Sequence, residues 1–552
     1  MKYVKRTDCS TIEELFLKNQ GVACLDDVTE WFRRYNRDGY RLDGIDKVAD
    51  IISKLDSDKQ VIISGDYDVD GITSTAIIYL TLSWLGFKNV KIFIPNRFTD
   101  GFGINDKIFD MSNEGLIMTV DNGIAQTDVI KKAKDLGYTV IVTDHHEPGL
   151  DANGNLLIPD ADVVIDPCAI PGQADFSGYC GAGIAFKIAR RLLNNDPEKR
   201  QILLSLACLG TVCDVMELTE ENYVFVRHGL KCLKQRNTTT SGVYALVQAF
   251  NLADTITAHD CGFNLGPAIN AVSRMLGDAT EAMDLLRFDG PFEHARKDAE
   301  KLLSINNTRK QATQEAYRYL KEMIDNDDKA PIIVYLPGIS EGLPGILAGR
   351  ISEEYRVPSI VLTDSTTPGI LKGSARSLDG YHMKDHLDKV SNLLEEYGGH
   401  AGAAGLSIKE ENLNAFRESL VGLNDFIKIS DKDIIEYDLE TDLKDIKECL
   451  LEMEKFEPFG EGNPAPVFKV KGFMPKQDKF GRRIQLCGSD LTTVRLQSTH
   501  GTAIGFNMSS MVKEINESIP MTLYGTLSWN YFNGKKEPQI EFVGIENEDM
   551  AA

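Results

Sequence analysis

Five short apolar runs constrain this chain more than any other feature, at residues 61–64, 90–94, 116–120, 140–143 and 163–165. Most are separated by segments long enough for a crossover helix, the signature of a mostly parallel α/β sheet. Such sheets form their sites beyond the carboxyl ends of the strands, so the residues just after each run matter most. Asp66, Asp68 and Asp70 come after the first, Asp121 after the third, Asp144, His145 and His146 after the fourth, and Asp166 after the fifth. Residues of metal-ligating type thus sit at the same end of successive strands and are expected to meet in space.

The aspartates in SGDYDVDGITST recur at period two, the spacing that points alternate side chains of an extended segment the same way. Clustered carboxylates repel one another, and a divalent cation resolves the conflict. The alternative is an acidic turn that caps a helix starting near Ile72. Asp214 lies within an otherwise apolar, helix-prone stretch, where a buried acid needs a partner such as a metal. Aspartate and histidine without thiolate favour Mn²⁺ or Mg²⁺, and the imidazole tilts the choice toward Mn²⁺. The candidates suffice for two ions roughly 3.5 to 4 Å apart, the arrangement used in phosphoryl transfer. Asp121, alone after its strand, is the candidate bridge. His145 and His146 are adjacent and diverge, so one can ligate while the other faces substrate, with Asp144 orienting an imidazole. Asp166, before Pro167, reads as a turn residue and is not counted among the ligands.

At 552 residues the chain is too long for one core and suggests three or four domains. Its 42% hydrophobic and 26% charged content is that of a globular protein rather than a disordered one. The first sixty residues show helical spacing, no signal-peptide core is evident, and no run of eighteen apolar residues occurs, so a cytoplasmic protein without a membrane partner is expected. Ten scattered cysteines without a C-x-x-C pair argue against a zinc ribbon. A formal net charge of −23 repels phosphate, so a nucleic-acid role requires locally gathered basic residues or bound metal. Residues 293–327 lack glycine and proline and predict a long helix. A second α/β region comes next, and the last hundred or so residues carry short strand-like runs expected to form a small antiparallel barrel or sandwich.

GDYDVDG, VDNG, VTDHHEP and GTVCDV, in that order, resemble the motifs of the DHH phosphoesterase superfamily, and GSARS and GGHAGAAG those of its DHHA1 companion domain. LGPAINAVSRMLGDA and EPFGEGNPAPVF resemble the RecJ branch of single-strand-specific 5′ to 3′ exonucleases. The resemblance implies a multidomain α/β architecture: a parallel-sheet DHH domain with an N-terminal extension (1–290), a linker helix (291–328), a smaller α/β DHHA1 domain (329–428) and an OB-fold β-barrel (429–552). It implies two Mn²⁺ or Mg²⁺ ions held by Asp66, Asp68, Asp70, Asp121, His145 and Asp214, with His146 and Asp144 in catalytic roles. Asn270 and Arg274 would lie along the substrate phosphates, Ser374 and Arg376 would form a pocket for a 5′-phosphate or nearby backbone, and His400 would contact the substrate from the companion domain. Arg482, Arg483, Arg495, Trp529, Tyr531, Phe532, Lys535 and Lys536 are available in the barrel for a single strand. The implied partner is single-stranded DNA, with a single-strand-binding protein or helicase as a further candidate, in repair or recombination. The alternatives are a DHH phosphodiesterase of short oligoribonucleotides or cyclic dinucleotides, and a non-catalytic replication scaffold. Three positions depart from the pattern. Ala268 replaces an arginine, Ser340 stands where a histidine is common, and Ser64 replaces the ligand histidine of the pyrophosphatase branch.

Overall fold

A computed structural model describes every residue except 1, 25–28, 31–32, 34–38, 152, 325–329, 379, 424–433, 479, 489–490, 533–534 and 549–552. The five apolar runs become strands β1 (Val61–Ser64), β2 (Val90–Phe93), β3 (Leu116–Val120), β4 (Thr139–Thr143) and β5 (Val163–Ile165). All neighbours are parallel, in the order β2-β1-β3-β4-β5. Every residue of β1 and β3 is buried, as expected of strands covered on both faces. The order reverses between β1 and β3, which makes their carboxyl ends the switch point where doubly wound sheets place their ligands.

Helix α1 (Val69–Trp84) is buried over almost its whole length and packs against α2 (Gly181–Leu192) and α3 (Pro197–Cys213). It begins at Val69 rather than near Ile72, because Asp68 caps it, accepting from the Gly71 amide at 3.0 Å. Helix α3 starts under the Asp196 cap with Pro197 in its first turn and ends at Cys213. Asp214 is therefore the first residue beyond the helix, not one within it.

Helix α4 (Gly266–Leu276) comes after a π-helical turn at Cys261–Leu265. It packs on α5 (Phe292–Met323), the long helix anticipated from composition. The second sheet runs β9-β10-β8-β7-β6, from β6 (Ile332–Tyr335), β7 (Ser359–Asp364), β8 (Ile370–Arg376), β9 (Leu394–Gly399) and β10 (Ala403–Lys409). Only β6 and β7 are parallel; the other pairs are antiparallel. Helix α6 (Pro344–Tyr355) covers this sheet through Leu347, Ala348 and Ile351.

The chain separates into two compact units, Tyr40–Met216 with Val224–Ile429, and Met1–Gly39 with Glu217–Tyr223 and Ser430–Ala552. The N-terminal residues, expected as an extension of the first domain, thus cluster with the C-terminal strands. Lys2–Lys5 pairs in parallel with Ile434–Tyr437, Tyr3 stacks on Tyr524 at 3.8 Å, and Arg6 grips buried Asp438 at 2.5 and 2.7 Å. The C-terminal sheet has seven strands, β11 (Leu439–Asp442), β12 (Val467–Phe473), β13 (Ile484–Cys487), β14 (Thr493–Gln497), β15 (Thr502–Gly505), β16 (Met521–Phe532) and β17 (Lys535–Asn547), in the order β11-β12-β16-β17-β15-β14-β13. Two of its pairings, β11 with β12 and β15 with β17, are parallel. The expected antiparallel barrel is therefore a mixed sheet whose first and last strands are not joined by hydrogen bonds among the described residues. No helix among those residues is long and apolar enough to cross a membrane.

Candidate metal centre and phosphate cavity

Strand ends and helix starts deliver the acidic groups together. Asp121 directly follows β3 in the left-handed region (φ 63°), a conformation costly for a residue with a Cβ and concentrated at functional sites. Asn122 secures it: its amide nitrogen donates to the carbonyls of Ser64 and Val120, and its Oδ1 accepts from the Ile104 amide. His145 Nε2 lies 3.0 Å from Asp121 Oδ1, 3.6 Å from Asp214 Oδ2 and 3.7 Å from Asp70 Oδ2. Ligand atoms of Asp70, His145 and Asp214 lie within 4.8 Å of one another, as do those of Asp121, His145 and His146. Neither group includes Asp66 or Asp68, which stand beside them in the β1–α1 loop. The three aspartates do not share one extended segment, since Asp70 already belongs to α1.

The carboxylates are crowded and short of counter-charge. Burial first, and neighbouring aspartates second, push Asp66 and Asp121 well above the usual carboxylate range, raise Asp68, and bring Asp214 to about 8. Burial lowers His145, in spite of Asp70, and favours the neutral imidazole that ligates metals. Asp66 Oδ1 is buried without a hydrogen-bond partner. Among the described residues, none of Asp66, Asp68, Asp121 and Asp214 pairs with a lysine or arginine. Oxygen and imidazole donors, like-charge crowding and an orphaned buried oxygen together fit a hard or intermediate divalent cation.

Asp70 is held by a feature that the sequence reading missed. Both its oxygens accept backbone amides from the first turn of α2, Gly181 at 2.6 Å and Ala182 at 2.9 Å. Helix N-termini favour anions, so α2 fixes the carboxylate before any cation arrives. A Cβ on Gly181 would sit 2.5 Å from Asp121 Cβ and 2.9 Å from Asp70 Oδ2, which explains the glycine. A glycine opening a helix beside predicted ligands was the available signal.

Asp144 orients the imidazole of His146, not that of His145. Its Oδ1 accepts from His146 Nδ1 at 2.7 Å, and its Oδ2 from the Ile124 amide. Burial works to lower the His146 pKa, but Asp144, Asp214 and Asp70 outweigh it and raise it to about 9. Asp166 caps its own turn, accepting from the amides of Cys168 and Ala169, in keeping with its exclusion from the ligands.

His146 also lines a cavity of about 1050 Å³, together with Arg274, Ser374, Arg376 and His400 from the expected substrate set. Asn270, on the same helix as Arg274, is not among the lining residues; its Oδ1 is buried without a partner. Arg376 donates to Ser374 Oγ at 3.0 Å. Ala268 is fully buried, so no phosphate contact can come from that position. Arg97, missed in the sequence, also lines the cavity and lies over the Tyr67 ring at 4.6 Å. It comes after β2 as the ligands come after the other strands, a signal passed over because arginine is not a metal ligand. Among the described residues, none of Arg97, Arg274 and Arg376 pairs with a carboxylate. Burial, then the charges of Arg97, Arg309 and Arg376, bring Arg274 down to about 9. Glu147, Glu341 and Glu396 also line the cavity, so the unpaired positive charge is gathered at the three arginines.

In the C-terminal unit, Lys536 lies over Trp529 at 4.2 Å, but its ammonium pairs with Glu454; Arg482 pairs with Asp478, and Arg483 donates to the Glu517 carbonyl. Tyr531 is exposed. The side chain of Phe532 lies outside the described residues.

Family models match in three places: the DHH family N-terminal domain at residues 60–211, the DHHA1 domain at 328–423 and the RecJ OB domain at 437–543. The single-stranded-DNA-specific exonuclease RecJ of Escherichia coli is 32% identical over 541 residues, 91% of this chain and 90% of that protein. The chain belongs to the RecJ family. RecJ of Bacillus subtilis is 33% identical over 527 residues, and there the match spans 91% of this chain but 63% of the relative's length. The crystal structure of RecJ with Mn²⁺ from Thermus thermophilus superposes with a TM-score of 0.77 at 25% identity, covering 99% of this chain and 80% of that one.

Proposed function

We propose that this RecJ-family chain is a metal-dependent exonuclease that hydrolyses phosphodiester bonds of single-stranded DNA from the 5′ end to mononucleotides. The observation that carries the reading is that His146 belongs at once to the acidic cluster and to the wall of the arginine-lined cavity. A phosphate held by the arginines therefore lies next to groups that can bind cations. The single-stranded-DNA specificity of the Bacillus subtilis and Escherichia coli relatives supports the substrate class, and the RecJ OB match favours it over the short-oligonucleotide diesterase. The clustering of Asp70, Asp121, His145 and Asp214 disfavours the non-catalytic scaffold. The reading extends to domains divided near residues 290, 328 and 428, and to a cytoplasmic role in repair or recombination beside a single-strand-binding protein or helicase.

Asp66, Asp68, Asp70, Asp121, His145 and Asp214 would hold two Mn²⁺ or Mg²⁺ ions, which supply Lewis acidity at the reacting phosphate. Arg274, Arg376, Ser374 and Arg97 fix the phosphate with planar, charge-assisted donors. His146 keeps its Nδ1 proton on Asp144, which leaves the Nε2 proton for the departing oxygen. His400, largely exposed in the cavity wall beside Glu147, contacts the incoming strand, and Asn270 of α4 lies outside that wall. Digestion of 5′- and 3′-labelled single strands with Mn²⁺ tests the reading. Mononucleotides should be released from the 5′ end, and Asp121→Ala or His146→Ala should lower kcat by about 10²- to 10⁴-fold. An intact strand under conditions where the Escherichia coli relative digests it would overturn the proposal.

A further inference from the structure

The arginines of the cavity come from different segments, repel one another, and need something to hold them in register. Arg274 is near the carboxyl end of α4, where the last carbonyls of a helix lack intrahelical partners. Its own carbonyl is taken by Ser340, whose Oγ donates at 2.7 Å. The same hydroxyl accepts from the Gly342 amide at 3.3 Å, and Arg274 Nη1 returns a bond to the Gly342 carbonyl at 3.1 Å. The approach is backbone against backbone: a Cβ on Gly342 would stand 2.3 Å from the Arg274 carbonyl oxygen and 2.6 Å from its Cα.

The intervening residue continues the link. Glu341 accepts the Thr366 amide at 2.7 Å and pairs with Lys372 of β8 at 3.2 Å. Lys372 in turn donates to the carbonyl of Phe98 at 2.8 Å, beside Arg97 in the chain. The Arg97 amide donates to Gly277, the residue that ends α4, at 2.8 Å. A ring of contacts therefore joins the loop carrying Arg97, the helix carrying Arg274 and the strand carrying Ser374 and Arg376.

We propose that Ser340 is a positioning residue for phosphate recognition, its hydroxyl locking the 340–342 loop to the Arg274 backbone so that the guanidinium is held toward the cavity. The inference rests on the reading that this cavity receives a substrate phosphate.

Steady-state kinetics of the full chain on 5′-phosphorylated and 5′-hydroxyl single strands tests this, with Ser340→Ala, Ser340→Thr and Arg274→Ala compared. Losing one neutral hydrogen bond should raise KM for the phosphorylated strand roughly five- to tenfold. The kcat should be unchanged, the preference for the phosphorylated end should shrink, and Ser340→Thr should restore it. Ser340→Ala overturns the inference if it keeps the wild-type preference, or if it impairs both strands equally. Should Arg274→Ala abolish the preference while Ser340→Ala does not, only the positioning role fails. Should Arg274→Ala leave the preference intact, the phosphate reading fails and the inference with it.

Discussion

Single residues carry charge that the fold must compensate, and two such sites outside the catalytic region are measurable. Asp438 is fully buried and accepts both Arg6 donors and the Val467 amide. Asp438→Ala leaves the Val467 amide without its acceptor and releases Arg6, itself exposed to solvent, and should destabilise the C-terminal unit by about 1–2 kcal/mol, read as a lower denaturant midpoint for that transition. His228 is half-buried near Lys231, Arg227 and Arg200; burial first, then these charges, depress its pKa to about 4. The folded state therefore prefers the neutral ring. Below the ordinary value near 6.5 the unfolded chain binds the proton more readily. Stability is complete above that pH and is lost as the pH falls toward 4. With solvent screening the loss is roughly 1–2 kcal/mol. Unfolding midpoints at pH 7 and pH 5 should differ less in His228→Gln than in the wild type.

At the level of elements, helix α2 does what none of the ligands can do for itself. Its first amides hold both oxygens of Asp70, and its opening glycine lets the helix end approach Asp121. Gly181→Ala puts a methyl group 2.5 Å from Asp121 Cβ. Overpacking of this kind costs about 1–3 kcal/mol, which the fold can absorb and the geometry of the site cannot. The variant should keep its thermal transition within a few degrees, yet lose most of its Mn²⁺ affinity in calorimetric titration. Unchanged affinity would mean that Asp121 does not depend on the α2 contact. Helix α1 explains why the period-two argument does not describe Asp66, Asp68 and Asp70. Asp68 caps a helix, Asp70 lies in its first turn, and the carboxylates gather because helices converge on the strand ends, not because a strand alternates.

For the molecule as a whole, a net charge of −23 coexists with an arginine-lined cavity. Acidic surface elsewhere repels a polyanion, so affinity depends on few, local phosphate contacts. If Arg97, Arg274 and Arg376 each neutralise a phosphate, the logarithm of the affinity for a single strand should fall with the logarithm of salt with a slope of about −2. Fluorescence anisotropy of a labelled strand with the Asp121→Ala variant would measure it. A much steeper slope would place further cationic contacts outside the cavity.

Strand positions, the long helix α5 and the order of the acidic motifs were legible in the sequence because they depend on local periodicity and composition and on which residue types come after an apolar run. Asp121, His145 and Asp214 could be proposed as companions on those grounds alone. The α2 amides on Asp70, the placement of Arg97 and the Ser340 bond to Arg274 could not. Each joins segments tens to more than a hundred residues apart through a backbone group, and backbone amides and carbonyls are the same in every residue. The N-terminal strand on Ile434–Tyr437 is the extreme case, a pairing that no window of sequence contains. Residue chemistry marked the acidic and histidine groups that could hold a cation; only the packing of distant segments decided which backbone groups they lean on and which arginines line the cavity beside them.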